Sequence, residues 1–509
     1  MTTAVRPAAS GSRRALAVLF VLACLLLGVR IGMAPVDRES EVRCHETAQH
    51  VLESGDWAVP VFEGKPRVEK PPLYTWLAAV SGSVFGMDQV GVRVPSALAG
   101  LALLAVLYAW GRSLGGDVRG PPLGAVAAGL LLTMALFATQ ARRGDAEMLL
   151  AAAICAAWLA YDAVRFRGRR DLAWVFAACL ALALLVKAHA GLFAIALPIV
   201  ADLALARRLR DLVRPRVLAW CAAALAVGIA WFVYIAVAVP GAREILRDEI
   251  LKPITGRRAT GSTHHVRPFW WYAPQFLTGI APAVLLLPFA AVRARATRWY
   301  AETPRVRFVA LCVVTVLVGF SCLSGKQRHY VLPAVAPAAL LLADAVVAAA
   351  DRPRRSFVVG ACAALVVGAA AVFGSFGWIE RLPPWTWGPP ALAAIAAACV
   401  LAVRGRRSSA AVLAWSALGG TFLLLTAYHW SFEPIRTIFD VEGRAGLPPA
   451  LRTELEPRLA SDERLARLLH ADEPSEAERE AEAERRRAER RERRQLQDDA
   501  PPAPPPDRQ

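Results

Sequence analysis

Only one of the nine cysteines, Cys44, lies outside an apolar block, and it has no obvious partner. No structural disulfide and no cysteine metal site is therefore predicted. A nucleotide-binding glycine-rich loop is also missing. No internal half-repeat stands out, which speaks against a transporter built from two repeated halves. Lysine is scarce, with five residues among 59 basic ones. Polar residues are too few for a soluble protein of 509 residues: 56% are hydrophobic and the mean hydropathy is +0.40.

The apolar residues come in blocks, not at amphipathic spacing. Ala15–Met33 is the first, and Val217–Val239, Phe308–Leu323 and Val358–Phe373 are among those that follow. Such a run, as a helix, matches the ~30 Å hydrocarbon core and satisfies its own backbone there. The first block is too long for a signal peptide and lacks a small-residue cleavage site, so it reads as a retained helix.

The net charge of +17 is distributed against a nucleic-acid partner. Outside the tail the arginines form short clusters between apolar blocks, such as Arg165/Arg167/Arg169/Arg170 and Arg293/Arg295/Arg298. Basic short loops mark the cytoplasmic side. The resulting expectation is an all-α polytopic membrane protein of about thirteen transmembrane helices with a cytoplasmic N-terminus, residues 1–14. Spans are expected near 15–33, 92–111, 120–139, 147–164, 172–187, 189–206, 217–239, 273–292, 308–323, 331–350, 356–373, 387–403 and 409–428. Residues 15–350 would form the core, 351–428 the C-terminal helices, and 429–509 a polar tail with a Pro-rich end. All five lysines and all eight histidines then fall on the non-cytoplasmic side, although neither residue type was used to set the topology. Titratable side chains sorted to one face predict a functional face there.

The long first external loop, residues 34–91, is the densest in chemistry. Asp37, Glu39 and Glu41 open it beside Arg43. A surface helix is predicted over His45–Glu53, a turn at Glu63-Gly-Lys-Pro66, and a second apolar surface helix over Tyr74–Phe85. Glu69-Lys70 precedes Pro71-Pro72, which stiffen the chain behind the lysine.

These residues carry a resemblance. Glu41-Val-Arg43, Leu52-Glu-Ser-Gly-Asp-Trp57, Glu69-Lys-Pro-Pro-Leu73 and Arg93-Val-Pro-Ser-Ala97 resemble the first loop of bacterial C-type (GT-C) membrane glycosyltransferases. The nearest families are the lipid A aminoarabinose transferases and the protein O-mannosyltransferase-like proteins. Lys187, the Trp270-Trp271-Tyr272 segment with Pro282, and Ser324-Gly-Lys-Gln-Arg-His-Tyr-Val-Leu-Pro333 continue the match in order. The family's acid is replaced by Ser40, and Lys187-Ala-His189 stands where Lys-Gly-Pro is usual.

The resemblance implies an inverting transfer of a sugar from a polyprenyl-phosphate carrier to a lipid, glycan or protein acceptor at the outer face of the cytoplasmic membrane. Such a reaction needs a carboxylate near the attacking hydroxyl and cations near the departing phosphate. Glu41 is the expected base, with Asp37 and Glu39 as substitutes. Lys70, Lys326 and Arg328 are expected at the phosphate, supported by Lys187 and Arg142. Arg43, Glu69, Glu147, His265 and Tyr330 are expected to position substrate. Glu69 with His264 and His265 offers divalent-metal ligands, but adjacent histidines rarely reach one ion, so no metal or other cofactor is expected. The competing readings are a lipid-linked-sugar flippase or transporter, and a non-catalytic assembly subunit, which the serine at position 40 keeps in play.

Overall fold

The computed structural model describes residues 9–28, 31–32, 36, 39–68, 70–247, 267–281, 283–297, 303–323 and 325–351. The expected spans at 356–373, 387–403 and 409–428 and the tail lie outside them.

The described chain is almost wholly helical. Helix α1 (Ala9–Gly28) is followed by α2 (Glu39–Ser54), a two-stranded hairpin of β1 (Val61–Phe62) and β2 (Lys65–Pro66), and α3 (Leu73–Phe85). Then come α4 (Gln89–Thr133), α5 (Ala135–Gln140), α6 (Glu147–Phe166), α7 (Ala173–Leu205) and α8 (Pro215–Ala238). Beyond 267 lie α9 (Tyr272–Gly279), α10 (Leu287–Thr297), α11 (Pro304–Ser321) and α12 (Leu332–Asp351). Among the described residues six helical stretches are long and apolar enough to cross a membrane.

Two of the long helices double back on themselves. In α4 the backbone leaves the helical region at Gly116 (φ 67°). A Cβ placed on Gly111 would lie 2.7 Å from the Gly124 Cα, so the two arms touch backbone to backbone. Only glycine permits that approach. In α7 the break is at Lys187 (φ −161°, ψ 82°). A Cβ on Gly191 would lie 2.9 Å from that of Ala183, eight residues away, where a straight helix would separate the two by about 12 Å. The chain thus reverses at the lysine, and separate helical arms are found on either side of it.

The single span expected over 273–292 is instead broken. Helix α9 ends at Gly279, a 3₁₀ turn covers Ala283–Leu286, and α10 follows. Pro282 cannot donate to a continuing helix, and the Ala281 carbonyl accepts from the Ala135 amide instead (3.0 Å).

The loop segment forms a small unit over the helix ends. Val51 and Ala48 of α2 pack with Tyr74, Ala78 and Ala79 of α3 and Val92 of α4. Between strands, Glu63 (φ 49°) and Gly64 (φ 72°) make the two-residue reversal that such a hairpin requires. Val68 is fully buried against Trp231 and Ile235 of α8, and the Trp231 indole donates to the Ala58 carbonyl (2.9 Å). This anchoring fixes the chain just ahead of Lys70.

Candidate active site

A polar crevice of about 130 Å³ opens where the loop unit meets the ends of α6, α7 and α12. Arg43, Arg67 and Lys70 line it from the loop, Asp145 and Glu147 from the start of α6, and Gln327 and His329 from the turn before α12.

Glu147 ties three elements together. Its Oε1 accepts from Lys187 Nζ at 2.7 Å and lies 3.3 Å from His329 Nε2. The lysine reaches it because α7 reverses at that residue. Tyr330 lies beneath the same ammonium, with its ring centroid 4.4 Å away. Glu147 is thereby neutralised within the protein.

Asp145 is placed differently. It is buried, and its Oδ1 accepts from the Glu147 amide (3.1 Å). Burial, followed by repulsion from Glu147, pushes its carboxyl up to about 7. Its turn is held from both sides. Ser96 Oγ donates to the Asp145 carbonyl (2.9 Å), and the preceding Gly144 amide donates to Glu41 Oε1 (2.7 Å).

Lys70 stands exposed at the open mouth, where desolvation by the surrounding side chains, then the charges of Lys187 and Arg67, lowers its ammonium below the ordinary lysine range. Arg67 is buried and donates to the Arg43 carbonyl (3.2 Å). Arg43, Arg67 and Lys70 thus gather positive charge on one crevice, chemistry that suits an anionic group.

Several residues singled out in the sequence are held elsewhere. Glu41 is 3% exposed and does not line the crevice. Its two oxygens accept from Arg93 Nε (2.6 Å) and Nη2 (3.1 Å), a partner 52 residues distant and not the adjacent Arg43. Arg142 donates to the Leu26 carbonyl (2.6 Å), in the last turn of α1, where a cation meets the negative helix end. Lys326 is buried, and its ammonium donates to the Leu323 carbonyl. Neither Lys326 nor Arg328 lines the crevice, whereas Gln327 and His329 do. Asp37, Glu69, His264 and His265 lie outside the described residues, as does the Glu39 side chain. Asp145 was not among the expected site residues, although the run Arg142-Arg-Gly-Asp-Ala-Glu147, two arginines with two acids, marks a buried network or a substrate-orienting turn, and Arg67 offered no signal.

Residues 69–236 match the family model described as dolichyl-phosphate-mannose-protein mannosyltransferase. In solved structures, ArnT from Cupriavidus metallidurans bound to undecaprenyl phosphate superposes with a TM-score of 0.69 over 89% of this chain and 81% of that one, at 21% identity. The chain has the fold of that ArnT. Among curated relatives, an undecaprenyl phosphate-alpha-4-amino-4-deoxy-L-arabinose arabinosyl transferase from Shewanella sediminis is 29% identical over 72% of this chain and 66% of its own length. One of the same name from Pseudomonas savastanoi is 31% identical over 64% of this chain and 60% of its own. The chain thus spans somewhat less than two thirds of these relatives.

Proposed function

We propose that this GT-C protein transfers a sugar from a polyprenyl-phosphate carrier to an acceptor hydroxyl, with inversion at the anomeric carbon. The observation that carries the reading is the crevice itself: Arg43, Arg67 and Lys70 stand across from Asp145, a carboxyl held near neutrality. The relatives' names and the undecaprenyl phosphate bound to the Cupriavidus ArnT supply the substrate class.

In this reading the acceptor oxygen attacks the anomeric carbon as its bond to the phosphate oxygen breaks. Negative charge then grows on the leaving phosphate, and Lys70, Arg43 and Arg67 stabilise it. Asp145 accepts the hydroxyl proton; its raised affinity for protons makes it a stronger base than an ordinary aspartate. Glu41 acts as a positioning residue, joining α2, which carries Arg43, to the turn that carries Asp145. Lys187 and Tyr330 fix Glu147, leaving Asp145 as the reactive carboxyl. The thirteen-span topology, with the crevice on the outer face of the cytoplasmic membrane, belongs to the same proposal: the cytoplasmic arginine clusters then lie opposite the crevice.

The purified protein, incubated with a synthetic undecaprenyl-phosphate sugar and a cell-envelope lipid extract, is expected to form a glycosylated lipid of inverted anomeric configuration by mass spectrometry and NMR. Retention of configuration would contradict the single-displacement step.

A further inference from the structure

A second charged layer lies at the other end of the bundle. Asp162 follows the crevice residue Glu147 by fifteen positions along α6, and Asp202 follows its partner Lys187 by fifteen along the second arm of α7. That spacing is about 22 Å of helix, close to the opposite membrane surface. Both aspartates are fully buried. Arg305, in the first turn of α11, holds Asp162 with two hydrogen bonds, Nε to Oδ1 at 2.9 Å and Nη2 to Oδ2 at 2.6 Å. Tyr161 donates to Asp202 Oδ2 at 2.8 Å.

Three more guanidinium groups reach these carboxylates only loosely. Arg165 Nε is 3.4 Å and Arg307 Nη2 3.8 Å from Asp202, and Arg167 Nε is 3.7 Å from Asp162. These contacts are ionic without being hydrogen bonds at that length. Arg165 Nε makes no hydrogen bond, and Arg167 Nε stands too far from Asp162 to make one, so both retain donors. Their side chains are 17% and 34% exposed, at the end of an apolar helix where headgroups lie. Burial holds the Arg167 guanidinium below its ordinary value, and the charges of Arg305 and Arg169 add to this against Asp162. Cations in excess of their carboxylates at headgroup depth match an anionic lipid.

We propose that Arg165 and Arg167 bind the phosphate of an anionic phospholipid in the leaflet opposite the crevice. The lipid phosphate accepts from both guanidinium groups and balances the charge that Asp162 and Asp202 leave over. It would clamp the ends of α6 and of the second arm of α7, whose other ends frame the crevice, together with the start of α11.

The test is thermal unfolding of the purified full-length protein in neutral detergent, titrated with phosphatidylglycerol, phosphatidylcholine or inorganic phosphate. Phosphatidylglycerol is expected to raise the unfolding midpoint, and the other two to leave it in place. Arg165→Gln and Arg167→Gln should each weaken the apparent phosphatidylglycerol affinity roughly fivefold. Asp162 keeps Arg305 in the Arg167→Gln variant, so that variant remains folded and decides the question if the other does not. Equal protection by phosphatidylcholine, or wild-type affinity in Arg167→Gln, would overturn the site. Protection by inorganic phosphate at the same concentration would overturn the assignment to lipid.

Discussion

Asp145 sits under opposing demands. Its folded carboxyl is pushed up to about 7 from the ordinary aspartate value of 3.8 that it keeps when unfolded, so the folded state is penalised for carrying the charge. The stabilisation from holding the proton is complete below the unfolded value and is lost as pH rises through about 7. Asp145→Asn should therefore raise the melting temperature at pH 8 and do so progressively less toward pH 5, as measured by scanning fluorimetry. A variant melting below wild type at pH 8 would show that the aspartate is stabilising. In turnover the sign is reversed, since a base must be unprotonated. The rate should climb with pH through about 7. Lys70 titrates against it. Its ammonium is depressed by desolvation and by Lys187 and Arg67, so phosphate affinity should fall at a pH lower than for a free lysine. Donor binding measured against pH should show that loss, and Lys70→Arg, which stays charged, should flatten it.

At the scale of elements, the contacts that hold the site are long-range. Glu41 and Arg93 form a buried pair 52 residues apart, and the Gly144 amide completes it. Removing one partner leaves an uncompensated buried charge, a loss of about 3–5 kcal/mol. Arg93→Gln should thus lower stability by that order in denaturation, and more than Glu41→Gln, which keeps an uncharged acceptor for the Gly144 amide. Gly111 and Gly124 set a second expectation. A side chain at either meets the opposing backbone at 2.7 Å or less, so Gly124→Leu should sharply reduce the yield of monodisperse protein in size-exclusion chromatography. The apolar blocks, the turn at Glu63-Gly64 and the surface helix at Tyr74–Phe85 were legible in the sequence because each rests on local patterning. The break between the blocks at 172–187 and 189–206 was legible as well, and the structure turns it at Lys187 itself. The Asp145 carboxyl was not legible: its shift comes from burial and from Glu147, neither of which a linear motif records. For Glu41 the carboxylate type was right for a base, but nothing local revealed that Arg93 would occupy both its oxygens.

For the whole molecule, the arrangement is two charged layers separated by apolar helix. In one, Asp145, Lys70 and Arg67 face a crevice; in the other, Asp162 and Asp202 sit among arginines. This predicts a sidedness that cysteine labelling can read. Cysteines introduced at Lys65 and at Arg169, both exposed, should react with impermeant maleimide from opposite sides of intact cells. Labelling of both from one side would put the two layers in the same compartment. The central claim is that Asp145 performs the proton transfer while the cations hold the donor, so binding and turnover should separate. The most direct measurement compares wild type with Asp145→Asn for equilibrium binding of an undecaprenyl-phosphate sugar and for single-turnover transfer. The account predicts unchanged donor affinity with transfer slowed by roughly 10²–10⁴-fold; near-wild-type transfer in the variant would contradict it.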